Sequence, residues 1–394
     1  MAMKLNIAVF FGGQSCEHEI SCISANQALK AIDSEKYEIV PIYISKNNDL
    51  YTGEALFELK NYYDLDALCG QLEKICLYKD NNKVYLKPIK GIFAKPKTID
   101  VAFLVMHGTN GEDGTLQGMM EMLDLPYTSS NVLGSAVGQD KVIMKEILAY
   151  EKIPSVPWFY LFSNTIDENI KEYETKAEEI GYPLIVKPAN LGSSIGIEIV
   201  HKKEELKSKL KACAAYDDKL LVEKMIKNLK EVNISVMGNL KEASLSAIEE
   251  VMKNDELLSF KDKYEGRGSK KGIKVPSKTG GSKGMASTSR KVPAKLKKKQ
   301  EEKVKDYALK AFKALNASGV TRIDFLIDND DDKVYVNEIN SIPGSLAFYL
   351  WSEVGVDFKK ECDMLIENAL KVYKEKKKKT RTFDTNILSN YREV

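Results

Sequence analysis

The sequence lacks several features that define common protein classes. Its six cysteines show no CxxC spacing, which argues against a zinc site. No apolar run reaches the length of about 18 residues that a membrane-spanning helix needs. No apolar segment typical of a signal peptide precedes the first strand. We therefore expect a cytoplasmic protein with reduced thiols and no membrane partner.

An excess of charge of one sign is also missing. The 59 basic and 57 acidic residues leave a formal net charge of +2, so no broad field points to nucleic acid as a partner. The lysine-rich runs at 295–305 and 374–379 adjoin helical patterns, which is typical of solvated helix faces. With 394 residues and 43% hydrophobic content, the chain has room for two or three globular domains.

The first part of the chain predicts a βαβ unit. An apolar strand at 4–11 ends in a glycine turn, a helical pattern follows, and a second apolar strand covers 37–44. Residues 45–98 are mixed and polar, and we interpret them as an insertion. A further strand at 100–106 leads to a helix that starts near Thr115. Small polar residues then mark a boundary close to residue 130.

The second part predicts alternating strands, a long loop and two helices. The predicted strands lie at 182–188, 198–200, 220–223 and 232–237 and the helices at 295–316 and 358–373. The segment 261–292 is rich in Gly, Ser and Lys, and a loop of this length is usually a functional lid or disordered. The basic residues from 376 onward predict a flexible tail.

An acidic hairpin near the C-terminus carries the clearest chemical signal. If its polar turn centres on Asp331, Asp324 lies opposite Glu338. Arg322 then lies opposite Asn340. Two opposed carboxylates repel each other, whereas Mg²⁺ binds carboxylate and amide oxygens together with substrate phosphates. We therefore predict a Mg²⁺ site beside a guanidinium.

Other interpretations of this region are weaker. The turn residues 328–333 fit a solvated acidic loop. An EF-hand is disfavoured, because the sixth loop position is Lys333 instead of Gly and the twelfth is Ile339 instead of Glu. No GxxxxGK[ST] phosphate loop occurs in the chain. Lys187, at a strand end before the glycine and serine turn 192–196, is a candidate phosphate ligand, because glycines let backbone N–H groups approach phosphate.

These segments stand in a fixed order with others. The order runs Gly12-Gly13-x-Ser15-x-Glu17-His18-Glu19-Ile20-Ser21, His107-Gly-x-x-Gly-Glu112-Asp113-Gly-x-x-Gln117-Gly118, Asp140-Lys141, Lys187-Pro-x-x-x-Gly192-Ser193-Ser194-x-Gly196, Lys263-Tyr264, Arg322-x-Asp324 and Asn337-Glu338-x-Asn340-x-x-Pro343-Gly344. The set resembles the D-alanine–D-alanine ligase family of ATP-grasp enzymes. The resemblance covers residues 4 to about 374.

The resemblance implies an α/β, three-domain ATP-grasp fold with an N-terminal βαβ domain. Residues 1–129 would bind the first substrate, and 130–223 and 224–375 would hold ATP between them, followed by the tail 376–394. The activity implied is ATP-dependent joining of two D-amino acids, most simply two D-alanines, through a D-alanyl phosphate for peptidoglycan precursors. A cytoplasmic homodimer is expected.

The resemblance also assigns roles to single residues. The ATP ligands are Lys141, Lys187 and Ser194 at the phosphates, Glu223 and Lys224 at the adenosine, and Glu231 at the ribose. The ligands of two Mg²⁺ or Mn²⁺ ions are Asp324, Glu338 and Asn340. The amino-acid site has Glu17 for the first ammonium, with Ser193 and Tyr264 beside it, His107 and Lys263 as substrate contacts, and Arg322 with the N–H of Gly344 for the oxyanion.

The chain departs from the family pattern at the second substrate. Tyr349, followed by Leu350, stands where the family usually has a serine whose hydroxyl holds the second carboxylate. A phenol donates the same bond but is larger, so a different second substrate is the nearest alternative. Two further alternatives are a nucleotide-binding regulator without catalysis and a carboxylase-type ATP-grasp subunit. The complete set of metal and oxyanion residues argues against the regulator, and the Glu17 and His107 motifs do not fit the carboxylase.

Overall fold

The computed structural model describes residues 4–91, 95–252, 290–383, 385–387 and 391. The strands in these ranges are β1 Leu5–Gly12, β2 Tyr37–Ile44, β3 Leu50–Thr52, β4 Glu73–Asp80, β5 Lys83–Pro88, β6 Lys97–Ile99, β7 Val101–Leu104, β8 Trp158–Phe162, β9 Leu184–Pro188, β10 Glu198–Val200, β11 Lys219–Lys224, β12 Leu229–Gly238, β13 Ala243–Val251, β14 Arg290–Lys291, β15 Gly319–Asp328 and β16 Lys333–Asn340.

The helices alternate with these strands along the chain. They are α1 His18–Ala31, α2 Leu65–Gln71, α3 Thr115–Leu123, α4 Val132–Gln139, α5 Lys141–Tyr150, α6 Ile166–Ile180, α7 Lys203–Cys213, α8 Lys298–Ala314, α9 Phe348–Ser352 and α10 Phe358–Lys377. Short 3-10 turns cover Glu54–Phe57, Leu59–Tyr63, Ser163–Thr165 and Gly344–Ala347. Within the described residues, no helix is long and apolar enough to cross a membrane.

The first sheet confirms the predicted βαβ unit. Strands β1 and β2 pair in parallel, and β7 pairs in parallel on the other side of β1. The full order is β6-β5-β4-β3-β2-β1-β7, in which β3 to β6 come from the polar insertion and extend the sheet by antiparallel pairing. Strand β1 lies between the two parallel strands β2 and β7, and its almost continuously apolar sequence is typical of a strand covered on both faces.

The other two sheets are antiparallel and form the walls of one cleft. The second has the order β10-β9-β11-β8, and the third has the order β14-β13-β12-β15-β16. Helices α6 and α7 bury Tyr173 and Leu206 against the second sheet, while α8 buries Val304 and Phe312 against the third. Each sheet therefore turns one face to an apolar core and leaves the other for polar residues.

The hairpin β15–β16 contains the two predicted pairs, although Asp328 pairs with Lys333 and the turn therefore centres between residues 330 and 331 instead of on Asp331. Asp324 pairs with Glu338, and Arg322 pairs with Asn340. Between Asp324 and Phe325 the register shifts by one, so that Asn337 is an extra residue on β16. Such a bulge bends the strand and redirects a side chain. The amide oxygen of Asn337 lies 3.3 Å from Nζ of Lys187 across the cleft.

Candidate active site

One cavity of about 1090 Å³ lies where the three sheets meet. Its lining includes predicted residues from every part of the chain: Glu17, His107, Lys141, Lys187, Ser193, Ser194, Glu223, Lys224, Glu231, Arg322, Asp324, Glu338, Asn340 and Gly344. The fold thus brings together residues that are more than 300 positions apart in the sequence. Their separate signals converge on a single site.

The oxygen donors of the hairpin lie at one corner of this cavity. Arg322 donates Nε and Nη2 to the two carboxylate oxygens of Asp324 at 2.7 and 2.8 Å. The side-chain nitrogen of Asn340 lies 3.3 Å from Oδ2 of Asp324. Burial raises the pKa of Asp324 against the effect of Arg322, and the Glu338 carboxylate adds to the rise.

This corner fits a hard divalent cation. A cation beside Asp324 and Glu338 would relieve the repulsion between the two carboxylates. In the described ranges no three His, Cys, Asp or Glu side chains form a ready metal cage. The ligands available are therefore two carboxylates and the amide of Asn340, a set that Mg²⁺ completes with phosphate oxygens and water.

Lysines line the opposite wall of the cavity. Nζ of Lys187 lies 2.6 Å from Oε1 of Glu223, and Nζ of the fully buried Lys145 lies 3.2 Å from Oε2. Burial alone would raise the pKa of Glu223, but the two lysines outweigh it, and the pKa lies below its ordinary value. Lys141 approaches Glu338 to 3.8 Å and donates to the carbonyl of Leu191 at 2.7 Å. Burial lowers the pKa of Lys141.

Glu17 marks the end of the cavity nearest the first sheet. It directly precedes helix α1, and the hydroxyl of Ser193 donates to its Oε1. Gly108 lies close by with φ of +69°, and an added Cβ would stand 2.7 Å from Oε2 of Glu17 and 2.6 Å from Oγ of Ser15. A methyl group here would strain the backbone and push the ends of the Ser15 and Glu17 side chains out of these positions.

Behind Glu17 lie His107, which is buried, and Glu112, which is partly buried. Burial lowers the pKa of His107 to about 4. Burial, followed by the charge of Glu17, raises the pKa of Glu112 to about 7. Nε2 of His107 lies 2.9 Å from the hydroxyl of Ser24, and the oxygen of this hydroxyl accepts from the backbone N–H of Ser345 at 2.9 Å. The segment after Gly344 is thereby attached to α1.

Two expected substrate contacts have other surroundings in the structure. Leu350 is fully buried in the protein interior, and Tyr349 donates its hydroxyl to Oε1 of Glu249 at 2.9 Å. Neither is among the residues that line the cavity. Lys263 and Tyr264, and with them residues 261–289 of the expected lid, lie outside the described residues.

Several cavity residues were not assigned a role from the sequence. They are Glu112, Asn233, Glu249, Arg290 and Asn337. The alternation of Val232 to Met237 could have pointed to Asn233, because that strand lies beside the hairpin β15–β16 and pairs Asn233 with Asp324. Arg290 and Glu249 had no local signal, since their environment is made by distant segments.

The fold and this cavity define a ligase of the ATP-grasp class. Two family models match the chain, D-ala D-ala ligase N-terminus over residues 6–130 and D-ala D-ala ligase C-terminus over residues 147–367. The chain is 41% identical to a D-alanine–D-alanine ligase of Thermosipho melanesiensis, with 98% of each chain covered. It therefore belongs to the D-alanine–D-alanine ligase family and is an ATP-dependent ligase.

Solved structures agree with this assignment. The D-Ala:D-Ser ligase VanG of Enterococcus faecalis aligns with a TM-score of 0.75 at 26% identity, covering 93% of this chain and 100% of that one. The D-alanine–D-alanine ligase of Bacillus anthracis complexed with ATP aligns with a TM-score of 0.65 at 28% identity, covering 94% and 99%. The fold is thus that of proteins described with two different second amino acids and with bound ATP.

Proposed function

We propose that this protein joins two D-alanine molecules in an ATP-dependent reaction and supplies the dipeptide for peptidoglycan precursors. The observation that carries the proposal is the shared cavity. It holds buried lysines on one wall, oxygen donors for a divalent cation on the other, and a carboxylate, Glu17, at the end near the first sheet. The lysines and the cation suit the phosphates of ATP, and Glu17 suits the ammonium group of an amino acid.

The first step is activation of one D-alanine carboxylate by phosphoryl transfer from ATP. Lys141, Lys187 and Ser194 bind the phosphates, and Glu223, Lys224 and Glu231 bind the adenosine. Asp324, Glu338 and Asn340 hold two Mg²⁺ ions, which neutralise the charge of the phosphates when bound. The contact of Glu223 with Lys187 adds a second task for Glu223, because its carboxylate fixes the lysine head at the cavity wall.

The second step is attack of the other D-alanine amine on the acylphosphate. Negative charge develops on the carbonyl oxygen, and Arg322 with the N–H of Gly344 donates to it. Glu17 accepts from the ammonium of the first D-alanine, supported by Ser193, and His107 contacts the same substrate. Lys263 and Tyr264, which lie outside the described residues, complete this site in our proposal, and we assign the segment 261–292 the task of keeping water from the acylphosphate.

The organisation of the protein is part of the proposal. We assign domains to residues 1–129, 130–223 and 224–375, because each of these ranges contributes most of one sheet. The segment 376–394 is the tail, of which the first two residues still belong to α10. We place the enzyme in the cytoplasm, where ATP is available, and expect a homodimer. The molar mass in solution, measured by light scattering, tests the last point.

A different second amino acid is the nearest alternative. It is favoured by Tyr349 at the usual serine position, and the fold is also that of a D-Ala:D-Ser ligase. A regulator that binds ATP without turnover is the alternative from another class. The two differ from our proposal in products that are simple to measure.

The test is ATP-dependent phosphate release with a panel of D-amino acids, with products identified by mass. We expect one ADP and one phosphate for each D-alanyl-D-alanine. A mixed dipeptide formed in preference to it would favour the alternative second substrate. Binding of ATP without ADP formation under any of these conditions would favour the regulator and contradict the proposed function.

A further inference from the structure

A polar row crosses the third sheet from the metal corner to its far edge. Glu338 pairs with Asp324, Asp324 with Asn233, and Asn233 with Glu249, each directly opposite the next. Neighbouring strands lie about 4.8 Å apart, so along the sheet Glu249 is about 10 Å from Asp324 and about 14 Å from Glu338. The far end of this row is the place where the structure puts Arg290.

Arg290 faces the cavity from the edge strand β14. It pairs with Val251 on β13, two residues beyond Glu249, and side chains two apart share a face of the sheet. Both Arg290 and Glu249 line the cavity. The next residue, Lys291, is exposed and points to the opposite face of the strand.

Glu249 and Tyr349 hold the Arg290 side chain in place. Nη1 of Arg290 lies 3.4 Å from Oε2 of Glu249, and its guanidinium carbon lies 4.6 Å from the centre of the Tyr349 ring. Glu249 is itself 1% exposed and accepts from the Tyr349 hydroxyl at 2.9 Å and from Asn233 at 3.0 Å. An arginine between a buried carboxylate and an aromatic face is oriented for planar recognition of an anion.

The other basic side chains that line the described part of the cavity come from other places in the fold. Among the described lining residues, the lysines all come from positions 141 to 227, on the side of helix α5 and the second sheet. Arg322 uses the Nε and Nη2 edge of its guanidinium on Asp324. The second amino acid must bring its amine close to Arg322 and Gly344, so its carboxylate needs a counter-charge farther along the third sheet. Arg290 is the arginine at that place.

We propose that Arg290 binds the carboxylate of the second amino acid and that Glu249 and Tyr349 position it. This inference rests on the proposed ligase function. It gives Tyr349 a task through another residue in place of direct contact with the substrate. The family's usual serine would bind this carboxylate through its hydroxyl. In this chain Tyr349 replaces the serine, and the guanidinium of Arg290 binds the carboxylate instead.

The main experiment compares Arg290→Met and Arg290→Lys with the wild type. For Arg290→Met we expect the apparent KM for the second D-alanine to rise about 10- to 150-fold, which is the effect of losing a hydrogen bond to a charged group. Arg290→Lys keeps the charge but not the planar guanidinium, so its apparent KM for the second D-alanine should lie between those of the wild type and Arg290→Met. The constants for ATP and the first D-alanine should not change. Lys291→Met, which removes the neighbouring charge on the other face, should match the wild type.

An acceptor without a carboxylate makes the test specific. With D-alaninamide in place of the second D-alanine, the wild type should discriminate strongly against the amide, whereas Arg290→Met should lose this discrimination by the same factor. Tyr349→Phe should raise the constant for D-alanine as second substrate with kcat little changed, because Glu249 loses a donor.

Three results would overturn the inference. The first is an unchanged apparent KM for the second D-alanine in Arg290→Met. The second is an unchanged preference of this variant for D-alanine over D-alaninamide. The third is a rise only in the apparent KM for ATP, which would assign Arg290 to the nucleotide site. Thermal unfolding and ATP binding of each variant identify a folding defect. If Arg290→Met has one, the apparent KM for the second D-alanine is compared between Arg290→Lys and the wild type. A wild type that forms no dipeptide would contradict the proposed function instead.

Discussion

His107 and Glu112 hold the same residue from its two sides. Nδ1 of His107 lies 2.8 Å from the carbonyl oxygen of Ile342, and Oε1 of Glu112 accepts from the N–H of Ile342 at 2.8 Å. Because the carbonyl can only accept, Nδ1 carries the hydrogen of a neutral imidazole. The two side chains thus fix the segment that leads from the metal hairpin to Gly344.

These two groups should affect stability in opposite directions between pH 4.5 and 6.5. The pKa of His107 falls from 6.5 to about 4 on folding, so the unfolded chain binds more protons and stability rises with pH. The pKa of Glu112 rises from 4.5 to about 7, so the folded chain binds more protons and stability falls as pH rises. In the wild type the two slopes largely cancel.

Removing either group should therefore reveal the other. In Glu112→Gln the free energy of unfolding should gain a positive slope of up to about 1.4 kcal/mol per pH unit relative to the wild type, and in His107→Gln a negative one. Urea unfolding from pH 4.5 to 6.5 measures both. Glu353→Gln, at an exposed position, is the control. If the free energy of unfolding depended on pH in the same way in all three variants, the opposite pKa shifts of His107 and Glu112 would be contradicted.

The oxygen donors at the metal corner should be essential for turnover. Asp324→Asn and Glu338→Gln should each abolish dipeptide formation at any Mg²⁺ concentration, because each removes one of two opposed carboxylates. Asp331→Asn removes an exposed carboxylate from the turn of the same hairpin and should leave activity intact. Thermal unfolding shows whether the variants fold. Near-normal activity of Asp324→Asn or Glu338→Gln with Mg²⁺ would show that the metal binds elsewhere.

Lys187 and Arg322 should act at different steps. Lys187→Ala should suppress ADP formation itself, because Lys187 binds the phosphates of ATP. Arg322→Ala should reduce dipeptide formation about 10²- to 10³-fold, the usual effect of losing an oxyanion donor, and reduce ADP formation less. Both products are measured in the same reactions, with the exposed Lys202→Ala as control. Equal losses of ADP and dipeptide in both variants would remove this separation of roles.

Gly108 should be necessary for the first substrate. In Gly108→Ala the new methyl group displaces the carboxylate of Glu17, and the positive φ adds about 1 kcal/mol of strain. We expect a higher apparent constant for the first D-alanine and a lower unfolding temperature. The matched control is Gly70→Ala in helix α2, where a Cβ meets nothing within 4 Å. An unchanged apparent KM for the first D-alanine would show that its binding does not need the Glu17 carboxylate in the position seen here.

Local patterns predicted the hairpin β15–β16 and the opposition of Asp324 and Glu338, which is confirmed. The turn centre was not predicted correctly, because Asp328 pairs with Lys333 and the turn centres between residues 330 and 331. The bulge at Asn337, which no local pattern indicated, shifts the register by one and brings Glu338 opposite Asp324. The surroundings of Tyr349 were not predictable in the same way. Glu249 is 100 positions away, and only the packing of α9 on the third sheet brings the two side chains together.

The polar insertion shows a second limit of local patterns. In the described part of this segment and up to Ile99, four strands extend the first sheet, whereas residues 45–98 were expected only as a mixed segment. Strand β4 is Glu-Lys-Ile-Cys-Leu-Tyr-Lys-Asp, with few buried residues and charges at both ends. Such a strand is specified by its neighbours in the sheet more than by its own apolar periodicity.

The core beneath the first sheet is completed by the far end of the chain. Phe10 and Phe103 share one apolar cluster with Trp351 of α9 and with Leu365 and Ile366 of α10. During synthesis the N-terminal strands leave the ribosome first, but the helix that covers them is among the last segments to be made. The part of the enzyme that is translated earliest must therefore wait for nearly the whole chain before its core is closed.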